Sequence, residues 1–204
     1  MKKYQKLFLA SAFALTTIPA YAAPLSWSYI NVNYNLETVE LNNVTDDLEG
    51  STISFGGSYS PIENFAVIGG YSTGSADVSG NGNTVDLDLD GYYIGGLAYT
   101  PVSPSADFFA GVRFVEVSGD YSVNGVRKGT LDGDGTGLFL GIRALVNPKL
   151  ELNAMIDRFD GGNDTSTDIK FGAGYYIATD VSLTASYAFS NDATSLSFGA
   201  TKHF

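Results

Sequence analysis

The residues best able to do chemistry are charged side chains at alternating positions. Asp86, Asp88 and Asp90 share one parity, and Arg113, Arg143, Glu151, Asp157 and Lys170 are scattered over later segments. Such groups can neutralise one another in a filled interior, or line a charged constriction that selects small ions and solutes. The peptide Leu131-Asp132-Gly133-Asp134-Gly135 adds two more carboxylates. With Asp86 and Asp88 they offer a weak set of oxygen ligands for a hard cation such as calcium. The spacing fails the calcium-loop pattern, because Thr136 takes the fifth position and Arg143 stands where a bidentate glutamate belongs. His203 is the one histidine and sits at the chain end, where an exposed rim residue is expected. Histidine-based acyl transfer or proteolysis at the far end of the molecule therefore lacks a base. Asp88 with Asp90, or Glu151 with Asp157, could pair as acid and base, but nothing in the pattern makes them converge. The reading is not an enzyme and needs no cofactor.

The elements that position these residues follow from the start of the chain. Lys2, Lys3 and Lys6 precede an apolar run from Leu7 to Ile18 and the small-x-small triplet Ala20-Tyr21-Ala22. This is an export signal, with cleavage expected after Ala22. Residues 23–204 then form one domain. Removing three lysines from 11 basic residues leaves eight against 22 acidic ones, a formal charge of −14. Nucleic acid is an unsuitable partner for that charge. The 204 residues contain no cysteine, so neither disulfides nor thiolate metal sites contribute. Twenty-four glycines, 13 tyrosines and 13 phenylalanines favour pleated structure with tight turns.

Period-two alternation defines ten segments: 26–36, 48–60, 65–74, 85–99, 107–118, 135–146, 150–159, 167–177, 181–190 and 194–204. Each is long enough to cross the hydrocarbon layer as a tilted strand. One parity is apolar, as in Ile30, Val32, Tyr34 and Leu36, or Val181, Leu183, Ala185, Tyr187 and Phe189. The other is polar or small, as in Asn31, Asn33 and Asn35, or Ser195, Ser197, Gly199 and Thr201. Connections alternate between short (61–64, 100–106, 147–149, 178–180) and longer (37–47, 75–84, 119–134, 160–166). Pro61, Pro101, Pro104 and Pro148 all fall in the short ones, leaving the strands free of proline. Aromatics assigned to the lipid face, Tyr59, Phe65, Tyr99, Phe108 and Tyr175, gather at the same end as an interfacial girdle. The class is all-β: an up-and-down antiparallel transmembrane β-barrel of ten strands, with eight as the alternative if two segments merge into a loop. Across Asn147-Pro148-Lys149, pairing Val146 with Leu150 puts Arg143 opposite Asn153 and diagonal to Glu151.

The repeated hairpins GGSYSP…FAVIGGY, GGLAYTP…FFAGVRF, GIRALVNP…LNAMID and GAGYYIATD…LTASYAF, and the final Leu196, Phe198 and Phe204, resemble the porin-like and OmpA-like family of small proteobacterial barrels. The resemblance covers nearly all of 23–204 and implies an outer-membrane location in a Gram-negative cell. It also implies Phe198 and Phe204 as the signal read by the barrel-assembly machinery, although Lys202 departs from the usual aromatic. Two functions remain open. One is a porin-like barrel passing ions or small solutes through a charged lumen. The other is a non-conducting structural or surface-interaction barrel whose acidic outer loops meet a partner, lipopolysaccharide or divalent cations.

Overall fold

A computed structural model of the chain describes residues 25–40, 47–80, 83–162 and 165–204. The export signal and its cleavage point lie outside the described residues, as do parts of the loops read at 37–47, 75–84 and 160–166. Ten strands follow in order: β1 (Tyr29–Val39), β2 (Leu48–Ile62), β3 (Phe65–Gly80), β4 (Asn83–Ser103), β5 (Ala106–Val123), β6 (Val126–Asn147), β7 (Leu150–Asp160), β8 (Thr165–Ala178), β9 (Val181–Phe189) and β10 (Ala193–His203). Each is antiparallel to the next, and β1 closes on β10. The seam runs from Tyr29 opposite His203 to Val39 opposite Ala193. It is extended by Phe204 donating its amide to the Ser28 carbonyl at 3.0 Å and Glu40 to Asp192 at 2.8 Å. Closure leaves no spanning strand with an unpaired edge in hydrocarbon.

Burial alternates with period two. Ile30, Val32, Tyr34 and Leu36 are exposed on the outside, while Asn31, Asn33 and Asn35 are buried inside. The start of β1 at Tyr29 and the end of β10 at His203 lie at the rim of the short turns, here called the terminal rim, and the opposite end is the distal rim. Pro61 and Pro101 fall inside β2 and β4, correcting the expectation of proline-free strands. Both occupy outermost residues, Pro61 within a register shift between Tyr59 and Ile62 and Pro101 opposite Asp107. There a missing amide donor harms little of the ladder.

The expected loop at 119–134 is a further correction. β5 and β6 continue as a paired ribbon to Val123 opposite Val126, and β3 and β4 continue to Gly80 opposite Asn83. Asn124 and Gly125 turn the ribbon at φ of 52° and 74°, the left-handed pair that a two-residue hairpin requires. The four extended strands stand beyond the rim as a sheet.

Inside, two rings exchange places with two glycines. Phe109 of β5 lies opposite Gly141 of β6, and Phe139 of β6 opposite Gly111 of β5. A Cβ at Gly141 would come within 2.5 Å of the Phe109 ring. Gly141→Ala is therefore expected to destabilise the refolded barrel by about 1–3 kcal/mol through overpacking, read as the urea unfolding midpoint in detergent. An unchanged midpoint would show that ring and strand have room to spare.

Candidate functional site

The segment before β1 tucks into the barrel at the terminal rim and carries Trp27 inside, 1% exposed. Its ring stacks on Tyr99 with centroids 4.8 Å apart and meets Phe109 edge-on at 5.5 Å. The Arg143 guanidinium lies 3.6 Å above the Trp27 centroid. Trp27 Nε1 donates to Asp107 Oδ2 at 3.0 Å, and Arg143 Nη2 reaches the same oxygen at 3.4 Å. Arg143 stands opposite Asn153 in the expected register, but the strand slips beyond Leu145, so that Asn147 rather than Val146 meets Leu150. The ion pair of Arg143 is thus with Asp107, directly across β5–β6. Glu151 is fully buried nearby, and among the described residues no donor reaches its carboxylate oxygens.

A second layer lies nearer mid-height. Arg113 Nη2 meets Asp157 Oδ2 at 2.5 Å, with the two side chains 2% and 5% exposed. The pair joins β5 to β7 across Gly137 of β6, which faces Arg113 and leaves the guanidinium room. The Arg113 guanidinium is also 5.8 Å from the Phe139 centroid. Asp168, opposite Asp157 on β8, and Lys170 are buried in the same wall.

Asp107 and Asp168 escape the sequence reading, and Trp27, at the inward parity of segment 26–36, has no role assigned there. A register argument could have found the first, because Asp107 shares the inward parity of Arg113 and pairs with Arg143.

Much of the remaining interior is apolar, which the reading did not anticipate. Ile68, Tyr93, Leu97, Val115, Val117, Met155 and Phe159 pack with Trp27, Phe109 and Phe139. Towards the distal rim Val39, Leu48, Ala76, Leu87 and Leu89 form another cluster, joined by Tyr121, Leu131 and Ala193. Val39 and Ala193 belong to the seam, so this cluster runs along the inner wall from β10 through β1 to β6. Serine, threonine and asparagine fill the β1, β2 and β10 side, for example Asn35 donating to Thr52 Oγ1 at 3.0 Å.

The apolar interior explains the largest correction. On β4 the faces are reversed: Leu87, Leu89, Tyr93 and Leu97 point inward, while Asp86, Asp88 and Asp90 are exposed outside the barrel and do not line the lumen. Tyr99 likewise turns inward against Trp27 and leaves the girdle. β4 carries apolar residues at both parities, so alternation alone cannot assign its faces. His203 is also corrected, being buried with Nε2 3.1 Å from Ser182 Oγ and its ring beside Tyr29 and Tyr176.

At the same rim Lys202 pairs with Asp180 in the β8–β9 turn and holds its carboxyl below the ordinary value. Phe198 and Phe204 are exposed, Phe198 on the lipid face, and Ser26 Oγ donates to the Phe204 carbonyl at 2.8 Å.

The outward face of the distal sheet is acidic. Glu49, Asp77, Asp86, Asp88, Asp90, Glu116, Asp120, Asp132 and Asp134 all lie on it, against Arg127 and Lys128. Tyr71 donates to Asp90 at 2.5 Å and Tyr92 donates to Glu116, so tyrosines mark where the lipid face gives way to carboxylates. Asp86 and Asp88 are on β4 and Asp132 and Asp134 on β6, with β5 between them. Among the described residues no three potential metal ligands come together, and those four aspartates do not converge.

A closed antiparallel ring of ten strands, apolar outside at mid-height, is the architecture of an outer-membrane barrel. The profile of the outer membrane protein beta-barrel domain matches residues 8–189, and the chain belongs to that family. No curated protein sequence matches it significantly.

Among solved structures it is similar to the translocator domain of autotransporter NalP from Neisseria meningitidis. That match has 13% identity and a TM-score of 0.61, covering 100% of this chain and 95% of the other. The transport unit of autotransporter AIDA-I from Escherichia coli is similar at 13% identity and a TM-score of 0.59, covering 100% and 98%. An outer-membrane channel from Pseudomonas putida F1 follows at 11% identity and 0.50, covering 93% and 100%. These likenesses show the fold.

Removing one partner of a buried ion pair strands the other charge in a dry interior. Asp157→Ala is expected to cost about 3–5 kcal/mol in urea unfolding, and Arg113→Met combined with Asp157→Leu to recover most of it. A single-variant loss below about 1 kcal/mol would mean that water reaches Arg113.

Proposed function

We propose that this protein is a non-conducting, non-catalytic outer-membrane barrel that holds an acidic sheet beyond its outer rim for surface interaction. The observation that carries the reading is the burial of its interior. A pore wide enough for hydrated ions leaves its lining side chains in contact with water. Here Arg143 and Glu151 are 0% exposed, and Phe109, Val115, Asn33 and Ser197 are all buried around the ring. Arg113, Arg143, Asp157, Glu151 and Lys170 thus serve as the polar part of a packed filling, as in other narrow barrels filled by side chains.

Outer-membrane barrels keep short turns and both termini in the periplasm, which makes the distal rim extracellular. The sheet then stands among lipopolysaccharide headgroups. Its carboxylates suit divalent cations that bridge to phosphate, or a protein partner. Phe198 and Phe204 are assigned as the signal for the barrel-assembly machinery. With the one histidine buried at the terminal rim, the extracellular face has no imidazole among the described residues for catalysis.

The test is a planar-bilayer recording of the refolded protein, its closure verified by heat-modifiable gel mobility. Correctly folded protein is expected to give no discrete conductance steps, with or without calcium. Steps that change on Arg113→Ala or Arg143→Ala would make it a channel instead.

A further inference from the structure

The distal sheet ends in a long strand edge. β6 pairs with β5 along its whole length from Val126 opposite Val123, but β7 joins β6 only at Thr136 opposite Asp160. Residues 126–135 therefore have no strand against their other side among the described residues. At about 3.3 Å per residue the edge runs roughly 33 Å.

The direction of its hydrogen bonds follows from the ladder. Leu145 donates its amide to the Ser105 carbonyl at 2.8 Å beside the pair Ala106 and Ala144. This makes the odd residues of β6 the ones that bond to β5, as far as the register shift beyond Gly129. The N–H and C=O groups of Thr130, Asp132 and Asp134 consequently face the open side. An edge of this kind is a template for strand addition.

We propose that this edge pairs antiparallel with the same edge of a second copy, about a two-fold axis through Leu131. The inference names the partner of the sheet described under the proposed function and rests on that reading. Two observations select the second copy and its register. Leu131 lies midway between Lys128, at the register shift, and Asp134, the last open even residue before β7 takes over at Thr136. Pairing about it uses the open edge from Lys128 to Asp134 and brings each hairpin tip towards the other copy's rim.

The charges are also ordered along the edge, with Arg127 and Lys128 at the tip and Asp132 and Asp134 towards the rim. Antiparallel pairing sets Lys128 against Asp134 and Thr130 against Asp132, twice over. Parallel pairing would oppose like charges, which is destabilising. A two-fold axis normal to the sheet inverts the second barrel, so the contact joins proteins in facing outer membranes.

The chain has no cysteine, which makes single-cysteine cross-linking a clean test in vesicles carrying the protein. Leu131 would face its own copy in a non-hydrogen-bonded pair about 4.5 Å apart, within disulfide reach. Under mild oxidation Leu131→Cys is expected to form dimers. Gly129→Cys should form none alone but should cross-link to Gly133→Cys when the two variants are mixed. Asp132→Pro removes a donor that faces away from β5 and should abolish vesicle clustering, measured by light scattering, while keeping heat-modifiable mobility. Cross-linking of Gly129→Cys to itself as readily as Leu131→Cys, or clustering unchanged in Asp132→Pro, would overturn the pairing. A barrel that is silent in the bilayer but never dimerises removes this inference alone, whereas a conducting barrel removes the reading beneath it.

Discussion

A backbone that crosses hydrocarbon must supply its own hydrogen-bond partners, and every later feature of this protein follows from how it does so. Strands can satisfy that demand only in a ring, and the ring closes where β1 meets β10. The seam fixes where the first and last strands must lie. It draws the segment before β1 to the terminal rim, and so places Trp27 where it can enter the barrel. It also turns His203 inward beside Ser182. The ring then encloses a space that must hold either water or side chains. Here it holds side chains, and that choice determines which residues are structural and which remain free for interaction.

The filling has two characters because the two sides of the ring meet different neighbours. Along β1 and β2 asparagine, serine and threonine bond to one another and to backbone, and the buried serines and threonine of β10 line the same side. From β3 to β7 rings and branched side chains pack as in a soluble core. The buried charges are unequally partnered: Arg143 lies against Trp27 and Asp107 and Arg113 against Asp157, whereas no donor reaches Glu151 among the described residues. Beyond the rim the same strands keep their apolar inner face over the mouth, and their outer face meets water rather than lipid. The inside-out pattern of the membrane segment thus becomes the ordinary inside-in pattern of a soluble sheet within a single strand.

That switch governs what could be read from sequence. Ten strands, their order, and the faces of β1, β6, β8 and β9 were legible, because lipid on one side and small polar residues on the other give clean alternation. The opposition of Arg143 and Asn153 was also legible, from the tight turn at Pro148. β4 was misread because Tyr92 and Ile94 at one parity compete with Tyr93 and Leu97 at the other. The rule that apolar means outward then misplaced Asp86, Asp88 and Asp90. The ribbon at 119–134 reads as a loop although Asn124-Gly125 is a strong local signal for a two-residue hairpin, because its glycines and aspartates mask the strands on either side. Trp27 falls in the first alternating segment, 26–36, at the inward parity of Asn31 and Asn33, but its contacts with Tyr99, Phe109 and Arg143 depend on strands far along the chain that alternation does not bring together.

The central proposal is that the interior is filled by side chains, and Trp27, the chain's one tryptophan, reports on it directly. Fluorescence of the protein refolded into lipid vesicles should be compared with an aqueous quencher and with bromine carried on the acyl chains. A filled interior gives blue-shifted emission that neither quencher reaches, because the indole lies inside the ring, away from both water and lipid. Red-shifted emission readily quenched from water would mean a solvent-filled lumen and would contradict the account.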